Sequence, residues 1–287
     1  VVTDDDVLVV LVRDPSTGEQ SLETQAVTSV SDDGKTIDIR AGVSSTTGAI
    51  TLLADGKVSN TAAGIIQNTG LGTIAITSNA AGIEQGGNIL SAGGEIALTA
   101  SAANGYVSMA AEALTDASTG GAGTGSVTLT AGNDITLARV NATGAITLTA
   151  DANDSDSGAI QAVDGFNAAY RNLSGETATV TLTASTGIGT GATALTSTIT
   201  GLTAANTVSG GLFLIEDTDL EVLTSDGVSL SGSAGDGVLR LLDGSLTVSG
   251  AIASTGDSGN LLLEALSDGQ QADVTLAATV SSSQGSI

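Results

Sequence analysis

The chain contains no cysteine, no histidine and no tryptophan, a single proline, and only two tyrosines and two phenylalanines in 287 residues. Without cysteine there is neither a disulfide framework nor a thiolate metal site. Without histidine, a Ser/His triad and the usual Cys/His zinc centres are excluded as well. Positive charge is also scarce: 7 Lys and Arg stand against 31 Asp and Glu, for a net charge of −24. Nucleic acid is therefore an unsuitable partner, since neutralising phosphates needs a basic surface, and an anionic membrane surface is disfavoured on the same ground. No apolar run approaches the ~20 residues of a membrane span. The opening "VVTDDDVLVV" lacks the basic stretch of a signal peptide, and the end, "TVSSSQGSI", halts where another strand would begin. The expectation is a piece of a longer polypeptide or a chain whose signal has been removed.

What remains is 39 glycines and a 41% share of hydrophobic residues, with a mean hydropathy of +0.31. That is too apolar for a disordered tail. The apolar residues are mostly Ala, Val, Ile and Leu interleaved with Thr and Ser, a mixture suited to pleated strands. They recur as one phrase: GAITLLA (48–54), GTIAITS (72–78), GEIALTA (94–100), GYVSMAA (105–111), GSVTLTA (125–131) and GAITLTA (144–150). It continues as ATVTLTA (178–184), GSLTVSG (244–250), GNLLLEA (259–265) and ADVTLAA (272–278). A weaker phrase lies between: GIIQ (64–67), GIEQ (82–85) and GAIQ (158–161).

Each strong phrase alternates apolar with small polar residues, so that Ile146 and Leu148 face one way and Thr147 and Thr149 the other. Period two is the signature of a strand with one buried face. Such a strand cannot bury that face alone. Near-copies every 19–24 residues bury it best by stacking coil on coil, as in a solenoid. The expected fold is all-β, a parallel β-helix of about a dozen coils, roughly 60 Å long at ~4.8 Å per coil. Residues 1–41 form an N-terminal β segment continuous with the rod, and 42–287 the solenoid repeats. The competing architecture is a string of immunoglobulin-like sandwiches, which repeat only every ~100 residues and lean on a core Trp that this chain lacks.

The segments 64–100, 125–137 ("GSVTLTAGNDITL") and 144–150 resemble the haemagglutinin-type repeats of filamentous haemagglutinin and related giant bacterial surface proteins. So does "GIGTGATALTSTITGLTAANTVSGGLFLIEDTDLEV" (187–222), and the resemblance covers roughly 42–278. It implies a right-handed parallel β-helix in an extracellular fibre, exported across the outer membrane and used in adhesion or in building a biofilm matrix. The N-terminal secretion domain of that family is missing here, which leaves export route and adhesive target open.

Candidate chemistry is sparse. "DANDSDSG" (151–158) offers Asp151, Asn153, Asp154 and Asp156 as hard oxygen ligands suited to Ca²⁺. A solvated acidic loop is the alternative, since the bidentate Glu of an EF-hand is missing. The acidic stretches 3–6, 31–36 and 215–221 read as solvated turns. "DGFNAAYRN" (164–172) is the one place where Phe, Tyr, Arg and Asp meet, either a small sugar ledge or a loop packed on the coil. Asn141 and Asn172 match the N-glycosylation triplet. Outward Thr128, Thr136 and Thr147 raise ice binding, against which the wandering period argues. No cofactor is required. The functional expectation is a non-catalytic rod at the bacterial cell surface or secreted from it, self-associating into filaments and contacting surface glycans or other cells. The alternative is a carbohydrate-binding or polysaccharide-cleaving β-helix, with an S-layer-type role third.

Overall fold

The computed structural model describes residues 9–13, 20–24, 36–46, 48–121, 123–165, 169–175, 177–231, 233, 235–256, 259–267 and 272–287. Every regular element among them is a β-strand. Beyond an antiparallel pair, Val9–Arg13 with Gln20–Thr24, all strands pair in parallel and stack into a β-solenoid of ten coils. The stretches 3–6 and 31–35, and the single proline, lie outside the described residues.

In coils 1 to 6 each turn of chain lays down three strands, one per side. Coil 2 runs Val58–Asn60, Ile66–Asn68 and Ile74–Ser78; coil 3 repeats this as Ile83–Gln85, Ile89–Ser91 and Ile96–Ala100. The three sides stack as sheets of six, ten and thirteen strands. Nearly all the strong phrases lie on the third side, because it carries the longest strands and shows period two most clearly. GYVSMAA instead falls on the first side as Val107–Met109, and GNLLLEA on the second as Leu261–Ala265.

Two inward columns fill the rod behind the third side. Ile74, Ile96, Val127, Ile146 and Val180 stack in one; Ile76, Leu98, Leu129, Leu148 and Leu182 stack in the other. All ten are at most 1% exposed. Stacking like on like gives each aliphatic side chain neighbours above and below. A narrow interior thereby reaches close packing without aromatic rings.

The initial glycine of the phrase has a steric cause. A Cβ on Gly72 would lie 2.4 Å from the Gly48 carbonyl oxygen, and one on Gly94 would lie 2.3 Å from that of Gly72. The corner glycines pack directly on one another's backbone, so no side chain fits.

Coil length is more variable than the phrase spacing suggested. The step is 24 residues from Ile50 to Ile74 and 19 from Val127 to Ile146. It rises to 31 from Ile96 to Val127 and 34 from Ile146 to Val180. The extra residues leave at corners, as loops 117–126, 150–159 and 163–172, and the register of the stacked columns is undisturbed. Long coils explain why there are ten rather than a dozen, a stack of about 43–48 Å at ~4.8 Å per coil.

The cross-section is rebuilt after coil 6. The first side dwindles to single bridges, Ile160 to Ile188 and Ile188 to Leu212. Leu212 opens Leu212–Glu216, a strand whose remainder stacks on the second side, so the two sides fuse. On the third side the reverse happens. Gly201–Asn206 pairs through Leu202 with Leu220–Val222 and through Ala204 with Val228–Leu230, and from there on one side has become two. In coil 10 the inward Val274 and Leu276 are 40% and 58% exposed, whereas Leu246 and Val248, on which they stack, are fully buried.

Candidate functional site

The acidic loop 151–158 turns its best ligand inward. Asp151 is buried; its Oδ1 accepts from the Ser155 amide (2.6 Å) and hydroxyl (2.8 Å), and its Oδ2 from the Ser185 hydroxyl. Burial works to raise its pKa, but these hydrogen bonds from Ser185 and Ser155 prevail and lower it. With its amide nitrogen turned toward the acceptors, Asn153 donates to Asp151 Oδ1 (2.9 Å) and to the Gly132 carbonyl (2.7 Å). Asp154 and Asp156 are exposed, and with Asp151 they hold positive φ values of 54°, 61° and 65°. The loop thus uses Asp151 as a clamp on its own backbone. Among the described residues no three acidic side chains converge on one point.

The other sequence candidates separate in the same way. Tyr170 lies with its ring 4.3 Å from the Arg139 guanidinium, Arg171 pairs with Asp217, and Phe166 lies outside the described residues. Asn172 is fully buried, its amide donating to the Ala138 carbonyl. Asn141 donates to Ser118 and Asp116. Both amides are therefore engaged within the fold.

Two features were not foreseen, and a third was foreseen only in part. The first is a groove of about 440 Å³ on the first side, where Asp38, Ser59, Glu84 and Ser108 stack in register on coils 1 to 4. Glu84 accepts from Lys57 Nζ and from the Tyr106 hydroxyl, both at 2.7 Å. The Lys57 hydrogen bond, then that of Tyr106, lowers the Glu84 pKa. Burial, aided by the hydrogen bond to that carboxylate, pushes Tyr106 up to about 12. Asp38 pairs with Arg40 and accepts from Ser59.

The second is Glu216, at the corner between the second and third sides and fully buried. The sequence reading placed it in a solvated turn; it instead closes the fused strand Leu212–Glu216. Its Oε1 accepts from the amides of Asp217 and Thr218 (both 3.1 Å) and from the Thr218 hydroxyl (2.7 Å). Oε2 accepts from Ser197 (2.6 Å), and both oxygens from the Ile199 amide (3.2 Å). Burial raises its pKa, opposed but not overcome by the Ser197, Thr218 and Ile199 hydrogen bonds. A groove of about 470 Å³, lined in part by Asn141, Ser174, Thr198 and Thr218, runs beside it.

The third is the outer face of the third side. Ala75, Ala97, Thr128, Thr147 and Thr181 form one outward column, and Thr77, Thr99, Thr130, Thr149 and Thr183 the other. Thr136 belongs to the first side instead, on Ile135–Leu137 beside Ser108.

The fold defines a β-solenoid repeat protein. The chain matches no protein-family model, no curated protein and no solved structure.

Proposed function

We propose that this chain is a non-catalytic segment of a secreted or cell-surface bacterial fibre of the filamentous haemagglutinin type, a stiff rod that spaces or displays adhesive surfaces. The observation that carries this reading is the unbroken parallel ladder of ten coils. Its hydrogen bonds run along the rod axis and are shielded by two continuous aliphatic columns, an arrangement that resists bending and shear. The repeat phrases and the 187–222 segment support the family assignment. Immunogold labelling of the producing cells with antibody to the purified chain tests the reading. Gold on extracellular fibres is expected, and label confined to the cytosol overturns it.

The first-side groove favours one further role, contact with glycans, because Asp38, Glu84 and Ser108 line it with polar groups and the Tyr106 hydroxyl donates to Glu84. Binding on a glycan array that is lost in Tyr106→Ala, without release of cleavage products, is the expected outcome; released oligosaccharides would replace it with the hydrolytic reading.

A further inference from the structure

Side chains on a strand alternate between its two faces. On the fused second side of coils 8 and 9 the inward set, Leu212, Leu214, Leu239 and Leu241, is at most 2% exposed. A polar outward set is the usual complement, and coils 5 to 7 have one, with Asn141, Ser174 and Thr198 in register. Coils 8 to 10 depart from that. Phe213, Val238 and Leu262 form one outward column, Ile215, Arg240 and Glu264 the next, and Asp217, Leu242 and Leu266 follow at the corner. We propose that this face is a lateral contact with a second copy of the chain, the two rods meeting about a two-fold axis.

Apolar side chains scattered singly over a surface call for no explanation, but a contiguous patch marks a contact site. Leu242, Leu262 and Leu266 are 44%, 44% and 42% exposed. Phe213, Ile215 and Val238 beside them are half-buried. Leu242 lies in coil 9, with a coil on either side of it, so its exposure does not depend on the open end of the stack. The inward leucines hold the strands behind this face in place.

The charges select the occupant. The remaining three outward positions are charged and paired within the chain, Arg240 with Glu264 and Asp217 with Arg171. The patch therefore carries no unpaired charge, on a chain whose net charge of −24 drives copies apart elsewhere. A face shaped for a cationic partner would instead offer its carboxylates free. Asp236 and Asp243 flank the strand Gly237–Leu241 and leave the acidity to the rim, around an apolar centre. Arg240 and Glu264 stack on neighbouring coils, so a two-fold axis between them sets Arg240 of each copy against Glu264 of the other. The patch spans only ~10 Å by ~13 Å between its outermost Cα positions. An interface that small is weak, with a dissociation constant in the micromolar range or above.

Sedimentation equilibrium of the purified chain over a range of concentrations tests the proposal, with melting midpoints recorded to confirm folding. Wild type should dimerise. Leu242→Glu should raise the dissociation constant about tenfold or more, whereas Thr147→Glu, the same added charge on the third side, should match wild type. Arg240→Glu and Glu264→Arg should each weaken the dimer about tenfold or more. An equimolar mixture of those two should recover wild-type affinity, because each supplies the charge that the other lacks. The pair is part-exposed, so neither variant threatens the fold. A chain that stays monomeric at every soluble concentration overturns the proposal. So does a dimer indifferent to Leu242→Glu, equal weakening by Thr147→Glu, or a mixture no tighter than its components.

Discussion

Replacing Glu216 by Ala removes an acceptor shared by five protein donors, of which the Asp217 amide keeps the Ser197 carbonyl. Two of them, the Ile199 amide and the Ser197 hydroxyl, belong to residues at most 1% exposed. An orphaned buried donor costs about 1–3 kcal/mol, so this pair costs about 2–6. The Asp217 and Thr218 donors lie nearer solvent and add little. Relief of the carboxylate's own desolvation offsets part of the loss. Glu216→Ala should therefore destabilise by about 2–4 kcal/mol at pH 7, read as a lower urea midpoint at unchanged slope.

Glu216→Gln keeps Oε1 for the Asp217 and Thr218 donors and removes the charge, and should stay within about 1 kcal/mol of wild type. The two variants separate further with pH. A carboxyl whose folded pKa is raised holds its proton in the native state after the unfolded chain has released it. Its contribution to stability is therefore complete below the unfolded value near 4.5 and declines as pH rises through the folded pKa. Wild type should lose stability relative to Glu216→Gln over that window, by at most ~1.4 kcal/mol per pH unit. Superimposable pH profiles for wild type and Gln would refute the assignment of a buried acid with raised pKa. A harmless Ala substitution would refute the hydrogen-bond argument itself.

Three other outcomes are expected. Leu148→Ala, in the middle of an inward column, should cost about 2–5 kcal/mol in chemical denaturation, whereas Thr147→Ala beside it should cost well under 1. Glu84 carries a lowered pKa, so its stabilisation is present above the unfolded value near 4.5 and lost as pH falls below it. Lys57→Met should move that acid limb upward, by a small amount because the pair is part-exposed; an acid limb identical to wild type counts against the pairing. Millimolar Ca²⁺ should leave the melting midpoint unmoved, since Asp151 already accepts from Ser155 and Ser185. A rise of several degrees that is lost in Asp154→Asn would show that the loop reopens around the ion.

Period two made the third side legible. Ile146 and Leu148 alternate with Thr147 and Thr149 in the sequence as they do in the rod, because nothing in a narrow coil competes with that alternation. The short sides were harder to read. Three-residue strands such as Ile83–Gln85 and Ile135–Leu137 are too brief to display a period, so Thr136 was grouped with Thr128 although it lies on another side. Coil length misled for a related reason: phrase spacing counts loop residues that the stacked register ignores. Glu216 was illegible because "IEDTDLE" resembles any acidic turn. Its burial depends on where the corner falls, and its Ser197 and Ile199 partners come from the preceding coil.

That corner links the one buried Glu of the described rod to the change of cross-section. Fusing two sides and splitting the third breaks the rule that each strand lies on a copy of itself, so some backbone donors lose their regular place. Gly187, Gly189 and Gly210 take up the required bends with φ values of 126°, 64° and 76°. Glu216 collects the amides of Ile199 and Thr218, and shares that of Asp217 with the Ser197 carbonyl. A polar side chain with two acceptor oxygens serves here because aliphatic stacking has nothing to offer an unpaired N–H. The columns themselves are not interrupted: Val180, Leu202, Val222 and Val248 remain stacked, as do Leu182, Ala204, Val228 and Ile252. A rod of this kind can therefore redraw its outline, and with it the surface it offers, while its load-carrying interior stays continuous. The segment 187–222 earns its place by making that switch.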